Sequence, residues 1–446
     1  MDKFFKISER GSTFGREIVG GITTFLAMSY ILAVNPGILC DGTGMNWGSV
    51  FTATAVASAI ATLVMAFLAN MPVALAPGLG LNAFFTYSVV LSMGCSWQLA
   101  LTAVLVEGII FVVLSLCGLR EAIINCIPSS LKKAVSVGIG LFITIIGLAN
   151  ANLVATDTGT LIGFVNFSMA HKTAIVFTLG LVITIVLFIL KVPGSVLIGI
   201  VATTIIGIPF GVTSIPENFR PFSSPAAPHF MAFDFKGIFF DASGNASALV
   251  FGKFFVILFT FLFTDFFDTV GTLVGVATQA NLTDEKGNIP NAKGALLADA
   301  VGTVAGACLG TSTVTSFVES TSGVAAGAKT GFASVVTAIL FLLAVFLSPL
   351  FALIPACATA PALVFVGYLM MKSVVEIPFK DPTEGIPAFI AIMVMPFGYS
   401  VAKGIEWGVI SYVICKVVSR KFKDIPVLTW VLALVFIANM VFEAFK

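Results

Sequence analysis

Phe259-Thr-Phe-Leu-Phe-Thr-Asp265-Phe-Phe-Asp268-Thr-Val-Gly-Thr-Leu273 sets two carboxylates inside one of the most apolar stretches of the chain. A charge at bilayer depth is costly, so an acid kept there needs a partner, a proton or a water-filled cavity, and it marks a substrate or ion path. Asp265 and Asp268 share one face of a helix at this spacing. A further acid, Glu319, sits in unusual surroundings, Gly310-Thr-Ser-Thr-Val-Thr-Ser-Phe-Val-Glu319-Ser-Thr-Ser-Gly323. These two segments carry most of the functional signal.

The rest of the chain agrees with a membrane setting. Of 446 residues, 58% are hydrophobic and only 10% charged, and mean hydropathy is +1.07. Soluble domains carry roughly 25% charged residues. The expectation is an all-α polytopic membrane protein in a lipid bilayer with little mass outside it. A net charge of +1 argues against nucleic acid as a partner. The seven cysteines, at 40, 95, 117, 126, 308, 357 and 415, show no CxxC and no metal spacing, so they read as reduced packing residues. The charged first twenty residues lead into an apolar stretch long enough to span, so the first segment is expected to be retained rather than cleaved.

Crossings need about twenty apolar residues. They are predicted near 16–39, 49–69, 78–93, 97–118, 131–150, 172–190 and 194–212. After a polar, Pro-rich stretch they resume near 250–280, 293–309, 319–328, 330–353, 361–373, 385–400 and 403–419, with a last apolar stretch at 425–443. The domain reading is a first seven-helix repeat over 1–212, a connection over 213–249, a second seven-helix repeat over 250–419 and a C-terminal apolar segment over 420–446. Weak internal matches support two repeats. Phe14-Gly15-Arg16 parallels Phe251-Gly252-Lys253, and Thr102-Ala-Val-Leu105 parallels Thr337-Ala-Ile-Leu340. Ile127-Pro128 with Val137 and Gly140 has the spacing of Ile354-Pro355 with Val364 and Gly367. An odd number of spans per repeat makes the repeats inverted, with a site at the midplane between them.

The third span of each half is irregular. Pro77, Gly78 and Gly80 interrupt the first, and the β-branched, alternating run Thr311–Phe317 opens the other. Both read as an extended piece to mid-membrane followed by a half-helix, a backbone tolerated where it lines a cavity. The half-helix starts, near Leu81–Phe84 and Glu319–Ser322, are expected to offer free N–H groups to a ligand. A Gly/Pro kink without function is the competing reading. Lys and Arg positions, including Arg120, Lys286 and Lys329, put the N-terminus in the cytoplasm.

Asp268 is the first candidate for the central acid, with Thr269 and Thr272 supplying hydroxyls and Gly271 permitting close approach. Glu319 is the second, and Asp265, one turn before Asp268, is a further proton-carrying candidate. For each, the alternative is a buried acid that only fixes packing. Glu107 and Asp299, in unbroken spans, read as helix–helix hydrogen-bond partners. No Lys or Arg is predicted at the midplane. A flat heterocycle with adjacent N–H donors suits carboxylates beside the Phe84/Phe85 pair; an amine or cation fits the same groups.

At these residues the chain resembles the adenine/guanine/hypoxanthine permeases of the nucleobase–cation symporter-2 (nucleobase:ascorbate transporter) family, in its AzgA-like branch. The resemblance rests on Gly20–Pro36 (GGITTFLAMSYILAVNP), Ala76–Phe85 (APGLGLNAFF), Asp265–Thr272 and Gly310–Ser320, and it covers nearly the whole chain. It implies fourteen helices in two inverted repeats. A core would hold 16–118 plus 250–353, and a gate 131–212 plus 361–419. It also implies proton-coupled uptake of a purine base with protons as coupling ion and no cofactor, a homodimer through the gates, and residence in the bacterial cytoplasmic (inner) membrane. Carried over by motif are Asp268, Thr272 and Glu319; the expected substrate-binding set adds Phe84, Phe85, Asn82, Ser320 and Thr24, and proton coupling is expected at Asp268, Glu319 or Asp265, the last without a counterpart in those relatives. Two departures stand out. Asp268 is shorter than the Glu of related uracil and xanthine permeases, and Thr272 stands where those relatives carry a charged residue or His.

The reading is therefore a purine-base:proton symporter with alternating access. An anion transporter on the same fold would need a cationic site, and none is found. A channel would need a continuous polar pore, whereas 131–212 is almost wholly apolar. An enzyme would need a metal cluster or a nucleophile–base pair, and neither is present in the sequence.

Overall fold

The computed structural model describes residues 2–117, 128–155, 162–165, 167–217, 219–240, 248–280, 282 and 291–444. Ile127 of the internal match, the charges Arg120 and Lys286, Cys126 and residues 218 and 241–247 of the connection lie outside the described residues.

Helices follow the apolar runs closely, and several are opened by the side-chain caps their sequences offer. In chain order they begin with α1 (Asp2–Phe5), α2 (Phe14–Met28), α3 (Ile31–Leu39), α4 (Trp47–Leu68) and α5 (Leu79–Ala83), which continues as a π-helical segment, Phe84–Ser92. Next come α6 (Trp97–Cys117), α7 (Ser129–Asn150), α8 (Lys172–Ile189), α9 (Ser195–Gly207), α10 (Ala248–Gln279), α11 (Ala292–Leu309) and α12 (Ser320–Ala325). The last are α13 (Gly331–Ala344), α14 (Ser348–Ala352), α15 (Ala356–Met371), α16 (Pro382–Phe397), α17 (Val401–Val418) and α18 (Val427–Ala444). Thr13 caps α2 by accepting from Arg16 N, and Asn46 caps α4 by accepting from Ser49 N. Glu17, fully buried, accepts from the N–H groups of Lys329 (2.9 Å) and Thr330 (3.2 Å) and so serves the start of α13. Among the described residues, eight helical stretches are long and apolar enough to cross a membrane.

Two of these stretches, Phe14–Leu39 and Gly331–Ala352, match the predicted spans 16–39 and 330–353 but carry an internal turn. In the first, i→i+3 bonds from Leu32 N to Ser29 O and from Ala33 N to Tyr30 O wind the backbone more tightly at Ser29–Tyr30. Hydrophobic periodicity does not register such a turn, because the side chains on both sides of it remain apolar. In the second, a 3₁₀ turn at Val345–Leu347 joins α13 to α14.

The centre of the molecule is a two-stranded crossing. β1 (Leu75–Pro77) pairs antiparallel with β4 (Val314–Ser316), with Ala76 opposite Thr315. Gly78 N to Thr313 O and Phe317 N to Ala74 O, both 3.0 Å, extend it. All six strand residues are buried, so the outer edges of the pair need partners where water is absent. Thr62 of α4 supplies them for β1, accepting from Leu75 N (3.0 Å) and lying 3.2 Å from Leu75 O. Thr303 of α11 donates to Val314 O (3.0 Å). A second small hairpin, β2 (Val154–Ala155) with β3 (Gly163–Phe164), lies between α7 and α8.

Around the crossing, α4 packs on α11 and α13, α11 on α6, and α2 on α13. Separately, α7 packs on α15 and α16, α16 on α17, and α8 on α9 and α15. The α7–α15 contact is close because Gly140 meets Gly367: a Cβ on Gly140 would lie 2.9 Å from Gly367 O. These are the two glycines matched in the internal comparison.

Candidate functional site

The crossing brings the two leading acids to the same region from distant parts of the chain. Gly78 follows β1 and is the N-cap of α5, and a Cβ there would stand 3.8 Å from Asp268 Oδ2 and 2.7 Å from Thr315 Cγ2. Only a glycine lets Thr315 of β4 approach this backbone so closely, whereas Asp268 would lie in ordinary van der Waals contact with a Cβ there. Glu319 follows β4 and stands at the N-cap of α12. Asp268 and Glu319 are near enough to interact electrostatically, and both act on Tyr30. Both residues are half-buried.

Glu319 Oε1 accepts a 2.6 Å hydrogen bond from the Tyr30 hydroxyl. Tyr30 is 1% exposed and sits at the break between α2 and α3. Sequence reasoning gave this tyrosine no role of its own. Its signal was there: a phenol in the middle of an apolar span needs a polar partner.

The other predicted residues have these places. Phe84 and Phe85 open the π-helical segment and are buried; the Phe84 ring meets Phe261 of α10 edge-on, centroids 4.9 Å apart. Asn82 is fully buried: its Oδ1 accepts from Ser312 Oγ, and its Nδ2 has no hydrogen-bond partner. Ser320 Oγ accepts from Ala74 N at 3.0 Å, so this hydroxyl braces the crossing. Thr24 of α2 lies against Gly323 of α12, and Thr272 is buried on α10. One expectation is corrected. The N–H groups of Ser320, Thr321 and Ser322 are spent on the carbonyls of Phe317, Val318 and Glu319, so these three are not free donors for a ligand. A helix of a turn and a half, entered through 3₁₀-type bonds, uses up its own first N–H groups.

Behind the strands lies a second acidic layer. The Thr269 hydroxyl is 2.6 Å from Asp299 Oδ1, 3.4 Å from Asp265 Oδ1 and 2.8 Å from Thr315 Oγ1. Its single proton goes to the nearer carboxylate. Glu107 Oε2 accepts from Thr313 Oγ1 at 2.7 Å. Asn35, also absent from the predicted set, donates to Thr54 Oγ1 (2.6 Å) and Thr311 Oγ1 (2.9 Å). These bonds tie α3, α4, α6, α10 and α11 to the segment around β4, holding irregular backbone in place by side-chain hydroxyls.

Comparison with known proteins agrees with this architecture. The sequence profile described as the Permease family matches residues 15–407. The guanine/hypoxanthine permease PbuG of Bacillus subtilis is 44% identical over 451 residues, covering 99% of this chain and 100% of that protein. The chain belongs to the Permease family, in its AzgA-like branch. The adenine permease AdeP of Escherichia coli is 38% identical to this permease over 442 residues, covering 99% of it and 96% of AdeP. Among solved structures, the transmembrane domain of the cyanobacterial bicarbonate transporter BicA superposes with a TM-score of 0.65 at 15% identity, covering 88% of this permease and 97% of that chain. That likeness concerns the fold alone. This permease is thus a multi-pass membrane transport protein and not an enzyme.

Proposed function

We propose that this permease imports a purine nucleobase, adenine or guanine/hypoxanthine, across the cytoplasmic membrane by proton symport with alternating access. Its relatives PbuG and AdeP are named for these bases. The observation that carries the reading is the pair of acids at one crossing: Asp268 beside the end of β1 and Glu319 just beyond β4. Carboxylates accept N–H donors from a ring edge, and each can exist with or without a proton. Asp268 and Glu319 hold the base, Phe84 or Phe85 bounds it, and Asn82, Thr272, Ser320 and Thr24 shape the surroundings. The proton travels on Asp268, Glu319 or Asp265.

Fourteen spans form two inverted repeats, 1–212 and 250–419, with the N-terminus cytoplasmic. The antiparallel pairing of β1 with β4 and the contact of Gly140 with Gly367 support it, since equivalent positions of inverted repeats meet at their axis. The packing of α2, α4, α6, α11 and α13 supports a core over 16–118 plus 250–353, and that of α7–α9 with α15–α17 a gate over 131–212 plus 361–419. Two copies associate through the gates.

The test is uptake of radiolabelled adenine, guanine and hypoxanthine into cells lacking their own base carriers, with and without a protonophore. Accumulation that collapses with the protonophore and ignores sodium is expected. Accumulation driven by sodium at a constant proton gradient would overturn the coupling ion.

A further inference from the structure

A hydrogen-bonded chain joins the two helix groups at the ends of α3 and α7. Asn150, the last residue of α7, donates from Nδ2 to the Tyr87 hydroxyl at 3.3 Å, and Tyr87 donates to Asp41 Oδ2 at 2.9 Å. Asp41 directly follows the turn that ends α3, and Tyr87 lies in the π-helical segment after α5. Both belong to the group built around the strand crossing; Asn150 belongs to the group of α7–α9 and α15–α17. Tyr399, in the turn between α16 and α17, presses the same point from that second side. Its ring meets Tyr87 edge-on at 6.1 Å and Phe142 of α7 at 5.4 Å.

The chemistry of the chain is directional. Asp41 takes the only proton of the Tyr87 hydroxyl, so the phenol oxygen is left as an acceptor, which is what the Asn150 amide requires. Tyr87 is 5% exposed, and losing its partners would leave a polar group buried at the seam. These contacts cannot survive if the two groups separate at this end.

We propose that Asp41, Tyr87 and Asn150 form a latch that keeps the outer mouth of the pathway shut and must break for a ligand to enter from outside. The latch rests on the alternating-access reading given above, but not on which ligand is carried. A bond of this kind biases a two-state equilibrium by about two- to tenfold.

Tyr87→Phe keeps the ring and removes the hydroxyl, while Asn150→Ala removes the amide from the other side. In the full-length protein in whole cells, a membrane-impermeant maleimide reports on Cys40, half-buried next to Asp41, with labelling followed by mass spectrometry of its peptide. Each variant is expected to label about two- to tenfold faster than the unaltered protein, and the double variant no faster than the faster single one. The half-saturation concentration for uptake from outside should fall by the same factor, while that for efflux from inside rises. Unchanged labelling in both variants, or equal losses of uptake and efflux, would overturn the latch. Faster labelling in a protein that takes up no purine would uphold the latch and refute the purine assignment alone.

Discussion

The Tyr30 hydroxyl lies 2.6 Å from Glu319 Oε1, so the break in the first span and the acid beyond β4 are one unit. The bond is charge-assisted when Glu319 is ionised, worth about 1.5–3 kcal/mol. Tyr30→Phe should therefore raise the half-saturation concentration for uptake roughly tenfold or more, with the maximal rate at saturation little changed. A fall in maximal rate with unchanged half-saturation would show that Tyr30 serves something other than ligand binding.

Close contact between α2 and α12 yields a second expectation. A Cβ on Gly323 would fall on Thr24 Oγ1 and stand 2.5 Å from Gly20 O. Gly323→Ala should lower the unfolding temperature of the detergent-solubilised protein, at a cost of about 1–3 kcal/mol, and impair uptake. A Cβ on Gly15, in the same α2, would meet nothing within 4 Å, so Gly15→Ala is the matched control and should be neutral. Equal effects of the two would contradict the packing described for α12.

The connection after α9 carries a pH-sensitive contact. His229 Nε2 accepts from Asn46 N at 3.1 Å, its ring rests against Trp97, and burial lowers its pKa from the ordinary 6.5. With the folded pKa below the unfolded one, the contribution is complete above pH 6.5 and is lost as pH falls, because the unfolded chain takes the proton first. Thermal stability should decline from roughly pH 7 to pH 5, and less steeply in His229→Gln. Parallel curves for the two proteins would remove His229 from the account.

Much of the architecture was legible because membrane helices announce themselves by length and apolarity. The ends of α4, α6, α7 and α8 fall within two or three residues of the predicted spans. The irregular segments were legible too, from Pro77, Gly78 and the β-branched run before Phe317. Their partnership was not. Nothing local in Leu75–Pro77 says that it pairs with Val314–Ser316, and the same holds for Tyr30 with Glu319 and Asn150 with Tyr87. Such contacts join residues far apart in the chain, and single-sequence periodicity describes only neighbours. The spent N–H groups at the start of α12 also lay beyond it, since they depend on how tightly Phe317–Ser322 turns.

The central claim is that a purine base binds at the strand crossing through Asp268. The direct measurement is uptake of radiolabelled purine bases by the unaltered protein and by Asp268→Asn, at matched amounts in the membrane. Asparagine keeps the size of the side chain beside Gly78 but loses the charge and the second acceptor oxygen. Accumulation of at least one base by the unaltered protein, abolished in Asp268→Asn with membrane insertion intact, is the predicted result. Near-normal uptake by Asp268→Asn would contradict it.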